Sequence, residues 1–259
     1  MTQIEPSILY QNFAPHSLLS DYIDAYWVFR IQTQTSKSFD IFPDGNFDLL
    51  IVIRNQCISS VQITGLWSKP VHITYTNDTE VVGIRFKPLA LGSLLRFNVK
   101  DYLDGSIPVT LNDVGVEAQV LLEVSLGFPQ AMVNYFDSLF LKQLRKFKID
   151  MRLKRCFDLM YTTAGGITVD DISQKVGISS RQLNRIINQK IGVGPKDYAK
   201  IVRFKSAMYS VKEDRMNYLH YYDQSHFIRE VKRFAGATPH QLDLKHNDRY
   251  IQYFDFEGL

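Results

Sequence analysis

The stretch TVDDISQKVGISSRQLNRIINQKIGVGP, Thr168–Pro195, decides the fold of the C-terminal half of this 259-residue chain, because it predicts two short helices joined by a corner. Thr168 and Ser179 each stand at the start of an amphipathic segment, where a side-chain hydroxyl accepts hydrogen bonds from backbone N–H groups that the first helical turn leaves unpaired. Gly177 lies between the segments and supplies the positive φ that a tight corner needs. The apolar residues of each segment share one helical face; they are Val169, Ile172 and Val176 in the first and Leu183, Ile186 and Ile187 in the second.

The second helix, residues 179–190, carries a polar face suited to reading DNA. Its side chains at positions i, i+3, i+4 and i+7 are Arg181, Asn184, Arg185 and Asn188, with Gln182 beside them. Arginine recognises guanine, and asparagine recognises adenine, through paired hydrogen bonds to base edges in the major groove. The pattern predicts a helix-turn-helix whose second helix enters that groove. A capped amphipathic helix with two arginines is also typical of a solvated protein surface.

The motif recurs 44 residues later, which favours a duplicated helix-turn-helix unit. The corresponding pairs are Ile178 and Tyr222 (each packing back across its cap), Ser179 and Asp223, Leu183 and Phe227, Arg185 and Arg229, Ile187 and Val231, Gly192 and Gly236, and Pro195 and Pro239. The second reading helix, residues 224–235, would then present Gln224, Ser225, His226 and Arg229, while Asp223 is its cap. A histidine here suits DNA contact and structural hydrogen bonding equally, and both interpretations stay open.

Two blocks carry a resemblance to a known family: VGISSRQLNRIINQKIGVGPKDY, Val176–Tyr198, and YYDQSHFIREVKRFAGATPHQL, Tyr221–Leu242. From about Asp150 to His246 the chain resembles the DNA-binding domain of AraC/XylS-type transcription regulators. The resemblance implies two helix-turn-helix units joined by a long helix that Gly194 and Pro195 open. It also implies a sequence-specific regulator that binds double-stranded DNA. RNA polymerase, an unidentified small-molecule effector and a second copy of the chain are further candidate partners.

Charge is divided unevenly along the chain. Residues 1–149 contain 12 Lys and Arg against 14 Asp and Glu, whereas residues 150–240 contain 16 against 9, a net charge of +7. A basic half joined to a nearly neutral half is typical of a nucleic-acid-binding domain with a partner domain. Half of the residues from Lys142 to Arg155 are basic, and they fit either a solvated surface or a set of phosphate contacts.

The N-terminal half predicts an antiparallel β-sheet or barrel, so we expect the whole chain to be α+β. Short runs rich in Ile, Val, Phe and Tyr alternate with turn residues, and Pro43-Asp44-Gly45-Asn46 has the composition of a tight turn. The predicted strands are residues 25–29, 38–42, 47–53, 57–64, 72–76 and 80–86; the predicted helices begin near His16, at Pro88 (through Leu95), at Leu111 (to Leu126) and at Pro129 (to Leu144).

Four features of this half resemble the poorly characterised N-terminal domains of one AraC-like subgroup: Tyr26-Trp27, Pro43-Asp44-Gly45, Thr64-Gly65 and the run from Gly83 to Pro88. The expected organisation is a sensing or dimerisation domain over residues 1–147, a DNA-binding domain over 148–246, and a tail over 247–259 without an assigned role. The aromatic residues of the strands fit either a core or a ligand pocket; they include Trp27, Phe42, Phe47, Trp67, Tyr75 and Phe86.

The sequence predicts neither an enzyme nor a cofactor-binding protein. It contains no nucleophile elbow, phosphate-binding glycine loop or zinc-protease motif, so no catalytic residue, metal ligand or cofactor is assigned. Asp40, Asp44 and Asp48 lie across a turn, and their expected role is turn capping. Cys57 and Cys156 are expected to be buried, reduced thiols in a cytoplasmic protein. No apolar run approaches the ~18 residues of a membrane-spanning helix, so no membrane partner is expected.

The second unit departs from the first at its corner. His220 stands where the family has a glycine, and residues 213–219 leave room for a loop and about one helical turn. We therefore expect the first unit to carry most base discrimination and the second to contribute mainly backbone contacts. The alternative function is a small-molecule-binding or protein-interaction module that keeps this scaffold with little DNA affinity, and salt-dependent DNA binding separates the two.

Overall fold

A computed structural model places an antiparallel sheet unit before a helical unit, as the sequence predicts. It describes residues 7–32, 35–76, 78–118, 129–147, 149–213, 221–242, 244 and 247–252. The described strands are β1 (Ser7–Phe13), β2 (Ile23–Gln32), β3 (Lys37–Ile41), β4 (Phe47–Arg54), β5 (Cys57–Thr64), β6 (Val71–Tyr75), β7 (Thr79–Phe86) and β8 (Ser106–Pro108). The described α-helices are α1 (Leu111–Val114), α2 (Pro129–Leu144), α3 (Met151–Thr162), α4 (Val169–Val176), α5 (Ser180–Ile191), α6 (Pro195–Lys212) and α7 (Gln224–Ala235).

The strands form two sheets that face each other. The larger has six antiparallel strands in the order β1-β2-β7-β4-β5-β8, and β3 pairs with β6 in the smaller one. Successive side chains of a strand lie on opposite faces, so β4 buries one set in the main core (Phe47, Leu49, Ile51 and Ile53). The residues between them face the smaller sheet, and Leu50 and Val52 pack against its cluster.

One hydrophobic core runs from the larger sheet into the helical unit. Phe86 of β7 packs edge-on against Phe140 of α2, with ring centroids 5.4 Å apart. Phe42, just after β3, contacts Phe204 of α6 at 6.1 Å. The core continues through buried residues of both helix-turn-helix units. Because each buried large apolar side chain contributes about 1.5–3 kcal/mol, the sheet and the helices stabilise each other.

Three predicted helices are shorter than expected. The helix at Leu111 ends at Val114, because Gly115 adopts φ 72° and terminates it in the left-handed region; the predicted residues 119–126 lie outside the described part of the chain. The segment at Pro88 is a 3-10 helix, Pro88–Ala90, since Gly92 turns the chain at φ 84°. The segment near His16 is likewise a 3-10 helix, Ser17–Leu19. The helix at Pro129 is confirmed through Leu144.

The sequence did not reveal strands β1 and β8. Both lie at the edges of the larger sheet, where a strand is paired on one side and needs less apolar patterning. Only Ile8 of β1 is buried, and β8 has three residues ending in Pro108. A proline without a backbone N–H is tolerated at such an edge.

Turn capping is confirmed for Asp44 alone, whose Oδ1 accepts the backbone N–H of Asn46 at 3.0 Å. The prediction is wrong for the other two carboxylates. Asp40 pairs with Arg249 near the C-terminus, with Nη2 and Oδ1 3.2 Å apart. Asp48 Oδ1 accepts a hydrogen bond from Trp27 Nε1 at 2.9 Å, because both side chains lie on the face of the larger sheet that is covered by the smaller one.

Of the two thiols, Cys156 is buried as expected, and burial raises its pKa to about 11. The prediction is wrong for Cys57, which is exposed. The aromatic residues of the strands serve in part as core and in part as cavity lining. Phe42, Phe47 and Phe86 belong to the main core, whereas Trp27, Trp67 and Tyr75 line a cavity. None of the helices among the described residues has the length and apolarity to cross a membrane.

Candidate nucleic-acid interface

The first helix-turn-helix unit begins and ends where its capping signals predict. Thr168 Oγ1 accepts the N–H of Asp171 at 3.1 Å and starts α4. Gly177 ends α4 in the left-handed region, with φ 73°. Ser179 Oγ accepts the N–H of Gln182 at 3.2 Å and starts α5. The predicted corner between two capped helices is therefore confirmed.

A short hydrogen-bond chain fixes the angle between α4 and α5. Ser173 Oγ donates to Ser180 Oγ at 3.1 Å, and Ser180 Oγ donates to Asp170 Oδ1 at 2.7 Å. Below it, Ile172 and Leu183 are fully buried. The corner is thus held by contacts on both sides, which keeps α5 rigid relative to the core.

The opposite face of α5 is open to solvent. Its exposed residues include Arg181, Asn184, Arg185 and Asn188, while Gln182 is half-buried. Asn184 Nδ2 donates to the carbonyl of Ser180 at 2.8 Å, so its amide is oriented within the helix. The four side chains of the predicted reading face therefore lie together on one accessible surface.

The second unit repeats this construction with one change at its start. Asp223 Oδ1 accepts the N–H of His226 at 2.7 Å and begins α7, and Gly236 ends it with φ 77°. The residue that packs back across the cap is Tyr221, which is 9% exposed with its ring centroid 5.1 Å from that of Phe227. Tyr222 is 94% exposed, so its predicted correspondence with the half-buried Ile178 is wrong.

The candidate reading residues of α7 lie in two environments. Gln224, Ser225 and Arg229 are exposed, and Arg229 Nε donates to the carbonyl of Ser225 at 3.3 Å. His226 lies instead beside a buried carboxylate, with Nε2 3.7 Å from Glu230 Oε2. Its ring also makes an edge contact with Tyr221, with centroids 5.5 Å apart. These contacts favour the structural interpretation of His226 over DNA contact.

Sequence reasoning missed the ion pair that joins α6 to α7. Arg203 Nη2 lies 2.9 Å from Glu230 Oε2 and 3.0 Å from Oε1. The guanidinium carbon of Arg203 lies 5.0 Å from the centre of the Tyr221 ring. Arg203 thus holds the second reading helix against α6. A glutamate on the apolar side of an amphipathic helix was the signal that could have revealed this pair.

Three lysines of the helical unit are also engaged in ion pairs. Lys205 Nζ lies 3.1 Å from Asp24 Oδ2 of the sheet unit, and Lys154 Nζ lies 3.0 Å from Asp21 Oδ1. Lys200 pairs with the neighbouring Asp197 at 2.8 Å. Asp21 and Asp24 lie outside residues 150–240, so their pairs with Lys154 and Lys205 offset part of the net charge of +7.

The helical unit is also joined to the sheet unit at the Pro43–Asn46 turn. Tyr198 Oη donates to the carbonyl of Gly45 at 3.0 Å, and Tyr161 and Tyr198 share a hydrogen bond of 2.8 Å. The end of α5 makes a second contact, since Lys190 Nζ donates to the carbonyl of Leu91. Burial lowers the pKa of Lys190. The first reading helix is thus in direct contact with the sheet unit.

The predicted shortening of the second unit and its corner at His220 fall on residues 214–220, which lie outside the described part of the chain. The helix before it is confirmed: α6 runs from Pro195 to Lys212 and is capped by Glu213. Within the described ranges, no group of three or more His, Cys, Asp or Glu side chains is arranged to hold a metal ion.

Two family models match the chain. A domain of unknown function, DUF6597, matches residues 11–108, and a helix-turn-helix domain matches residues 172–244. None of the curated proteins compared with the chain matches it in sequence.

Among solved structures, the chain is similar to ToxT from Vibrio cholerae. One ToxT crystal form is 14% identical, with 89% of this chain and 96% of that chain covered and a TM-score of 0.47. ToxT from strain O395 is 16% identical, with coverages of 82% and 94% and a TM-score of 0.44. Unsaturated fatty acid-bound ToxT from strain SCE256 is 14% identical, with coverages of 92% and 95% and a TM-score of 0.42.

The helix-turn-helix match covers α5, α6 and α7 together with Ile172 and Leu183 of the buried corner. It supports an AraC-type DNA-binding regulator. The chain carries a helix-turn-helix domain of the AraC/XylS type at its C-terminal end, together with an N-terminal domain of unknown function.

Proposed function

We propose that this protein is a cytoplasmic, sequence-specific transcription regulator of the AraC type. It reads the major groove of DNA with α5 and, less strongly, with α7. The observation that carries the proposal is the face of α5, where two arginines and two asparagines lie exposed at helical spacing on a rigidly capped helix. Their side chains match the edges of guanine and adenine. Gln182 flanks this face, and Gln224, Ser225 and Arg229 are the candidate contacts of α7.

We propose that each of the two units has its own role. Residues 148–246 bind DNA, and residues 1–147 sense a small molecule, form dimers, or do both. Two features support a sensing role: the cavity lined by Trp27, Trp67 and Tyr75, and the contact between the Pro43–Asn46 turn and α6. RNA polymerase is a candidate partner at a promoter.

The first experiment selects DNA ligands from a random pool with the full chain and measures affinity on the selected site. The logarithm of the affinity should fall linearly with the logarithm of salt concentration, by about 0.9 per phosphate neutralised. Arg181→Ala and Arg185→Ala should each weaken binding by about 1–3 kcal/mol and relax preference at one base position. Because α5 is the main reading helix, Ser225→Ala and Arg229→Ala should relax sequence preference much less.

Lys69→Ala is a matched control, because it removes one exposed cation from the sheet unit. This control should bind the selected site as the wild type does. An unchanged base preference in both arginine variants would remove them from the reading face. Equal loss of specificity from α5 and α7 variants would contradict the unequal roles of the two helices.

The same DNA selection and salt-dependent binding measurements distinguish the proposed function from the alternative function. A ligand-binding or protein-interaction module that keeps the scaffold would show little DNA affinity even at low salt, and no site would be enriched from the random pool. Either result would contradict the proposed regulator.

A further inference from the structure

A cavity of about 310 Å³ lies between the two sheets of the N-terminal unit. The larger sheet contributes Trp27, Phe29 and Leu50 to its walls, and the smaller sheet contributes Phe39, Ile73 and Tyr75. A space of this size is at the lower end of the ~300–1,000 Å³ typical of small-molecule sites. Mostly apolar and aromatic walls favour a compact ligand with a flat apolar body.

One end of the cavity is polar. Asp48 of β4 and Arg85 of β7 are cross-strand neighbours, and both line the cavity. Arg85 Nε lies 3.4 Å from Asp48 Oδ1 and 3.3 Å from Asp44 Oδ2. The other lining cation, Arg54, is exposed at the opposite end of β4.

This arrangement selects against a charged ligand. Arg85 already faces two carboxylates, so the buried end of the cavity has no excess positive charge to hold an anion. Burying an additional charge without a partner is strongly unfavourable. Carboxylate oxygens and guanidinium N–H groups together suit a neutral group that both donates and accepts a hydrogen bond, such as a hydroxyl or an amide.

The remaining wall comes from the far end of the chain. Ile251 and Gln252, which follow both helix-turn-helix units in sequence, line the cavity. Gln252 makes two hydrogen bonds to Phe42: its Oε1 accepts the N–H at 2.6 Å, and its Nε2 donates to the carbonyl at 3.2 Å. Ile251 is 6% exposed and packs in the same cluster as Phe29 and Phe39.

Further contacts hold this C-terminal strap, residues 247–252, along β3. Asp40 N–H donates to the carbonyl of Arg249 at 2.8 Å, and Lys37 pairs with Asp248 at 2.7 Å. Between the strap and α7, Leu242 and Leu244 are buried in the main core. These two leucines tie the chain between α7 and the strap to the core that supports the second reading helix.

We propose that this cavity binds a small, uncharged, largely apolar molecule carrying one hydroxyl or amide, and that the C-terminal strap is its movable wall, which couples ligand binding to the second helix-turn-helix unit. The inference rests on the proposed function, whose sensing role it specifies, and calorimetry tests the ligand site without DNA. Filling the cavity holds Ile251 and Gln252 in place and so fixes the position of α7.

The ligand class is tested on the full chain by calorimetry with 2-naphthol, with 2-naphthoate as its charged counterpart. We expect 2-naphthol to bind and 2-naphthoate to bind at least about tenfold more weakly. Leu50→Phe and Val52→Phe fill the cavity and should each weaken 2-naphthol binding about tenfold. Val61→Phe enlarges a half-buried residue that is not in the cavity lining, so binding should persist. Absence of 2-naphthol binding at millimolar concentration, or filled variants that bind 2-naphthol as tightly as the wild type, would overturn the site. Tighter binding of 2-naphthoate would overturn its ligand class.

The strap is tested by hydrogen exchange of residues 247–252 and of α7, with and without 2-naphthol. The ligand should slow exchange in both segments of the wild type, and Ile251→Ala and Gln252→Ala should remove the effect on α7. His240→Ala, an exposed position outside the strap, serves as the control and should behave as the wild type. Unchanged exchange in both segments would overturn the coupling.

DNA binding supplies an independent readout. If the proposed function holds, 2-naphthol should change the affinity for the selected site in the wild type and leave it unchanged in the two strap variants. An equal change in wild type and strap variants would contradict a role of the strap. Failure of the wild type to bind DNA at all would refute the proposed function instead, and the calorimetry and exchange results would still decide the ligand site.

Discussion

Glu230 is an acidic residue inside the helical unit, with 6% of its side chain exposed. Its two oxygens bind Arg203 on α6, and His226 lies beside it. Such a pair costs desolvation free energy when it forms, yet removing one partner leaves the other buried without compensation. At the scale of single residues, this pair fixes the position of the second reading helix and contributes little to net stability.

Glu230→Ala should therefore lower the free energy of unfolding by about 3–5 kcal/mol, because it leaves the Arg203 guanidinium unpaired. Replacing both partners, as Arg203→Met with Glu230→Leu, should recover much of that loss. Urea unfolding of the wild type and of these two variants measures both values. A double variant that loses as much stability as Glu230→Ala, or more, would contradict an uncompensated charge as the cause.

At the scale of elements, the start of α7 distinguishes two adjacent tyrosines. Tyr221 packs against Phe227 and Arg203, whereas Tyr222 lies in solvent. Tyr221→Ala should cost about 3 kcal/mol of stability, since it removes a buried aromatic ring, and Tyr222→Ala should change stability by less than about 0.5 kcal/mol. Thermal and urea unfolding compare the pair directly; similar losses from both would show that the cap region is packed differently.

The sequence could predict the boundaries of α4, α5 and α7 because their capping hydroxyls, carboxylate and glycines act within four residues of each helix end. It could not choose between Tyr221 and Tyr222, since that choice depends on contacts with Arg203 on another helix. Apolar spacing after Pro88 and Leu111 suggested full helices, and single left-handed glycines ended both segments early.

Contacts between distant parts of the chain left no local signal. Tyr198 donates to Gly45 across 153 sequence positions, and nothing near either residue indicates the other. The exposed face of α5 followed from helical periodicity, whereas the engagement of Arg203 and Lys205 in ion pairs followed from neither charge nor spacing. The strap along β3 was equally hidden, because its residues are polar and aromatic in no regular order.

At the scale of the whole molecule, Asp24 links the sheet unit to α6. Its carboxylate lies 3.1 Å from Lys205 Nζ and accepts Asn46 Nδ2 at 3.0 Å. Burial alone would raise the pKa of Asp24, but the positive charges of Lys205, Arg85 and Lys87 outweigh burial and hold that pKa below its usual value. A carboxylate whose pKa is lowered on folding stabilises the folded state at pH values above its ordinary pKa of about 4. This stabilisation is lost as the pH falls through the lower pKa of the folded state.

Asp24→Asn should accordingly lower the free energy of unfolding by about 1–2 kcal/mol at neutral pH. The difference from the wild type should shrink as the pH falls below about 4, since the wild-type carboxyl then becomes neutral too. Asp197→Asn, which breaks the pair within α6, should have little effect. Urea unfolding from pH 7 downward gives the profile, and a pH-independent difference would exclude the ionic contribution of Asp24.

Synthesis runs from the N-terminus, so the β-strands leave the ribosome before the segment that holds Ile251 and Gln252 has been made. Until both helix-turn-helix units have been translated, the space between the two sheets lacks one side and its aromatic lining is open to water. A nascent chain can therefore acquire its reading helices before it can enclose a ligand. If the proposed strap is correct, a shortened product that stops ahead of residue 247 would still bind DNA but would no longer respond to the ligand.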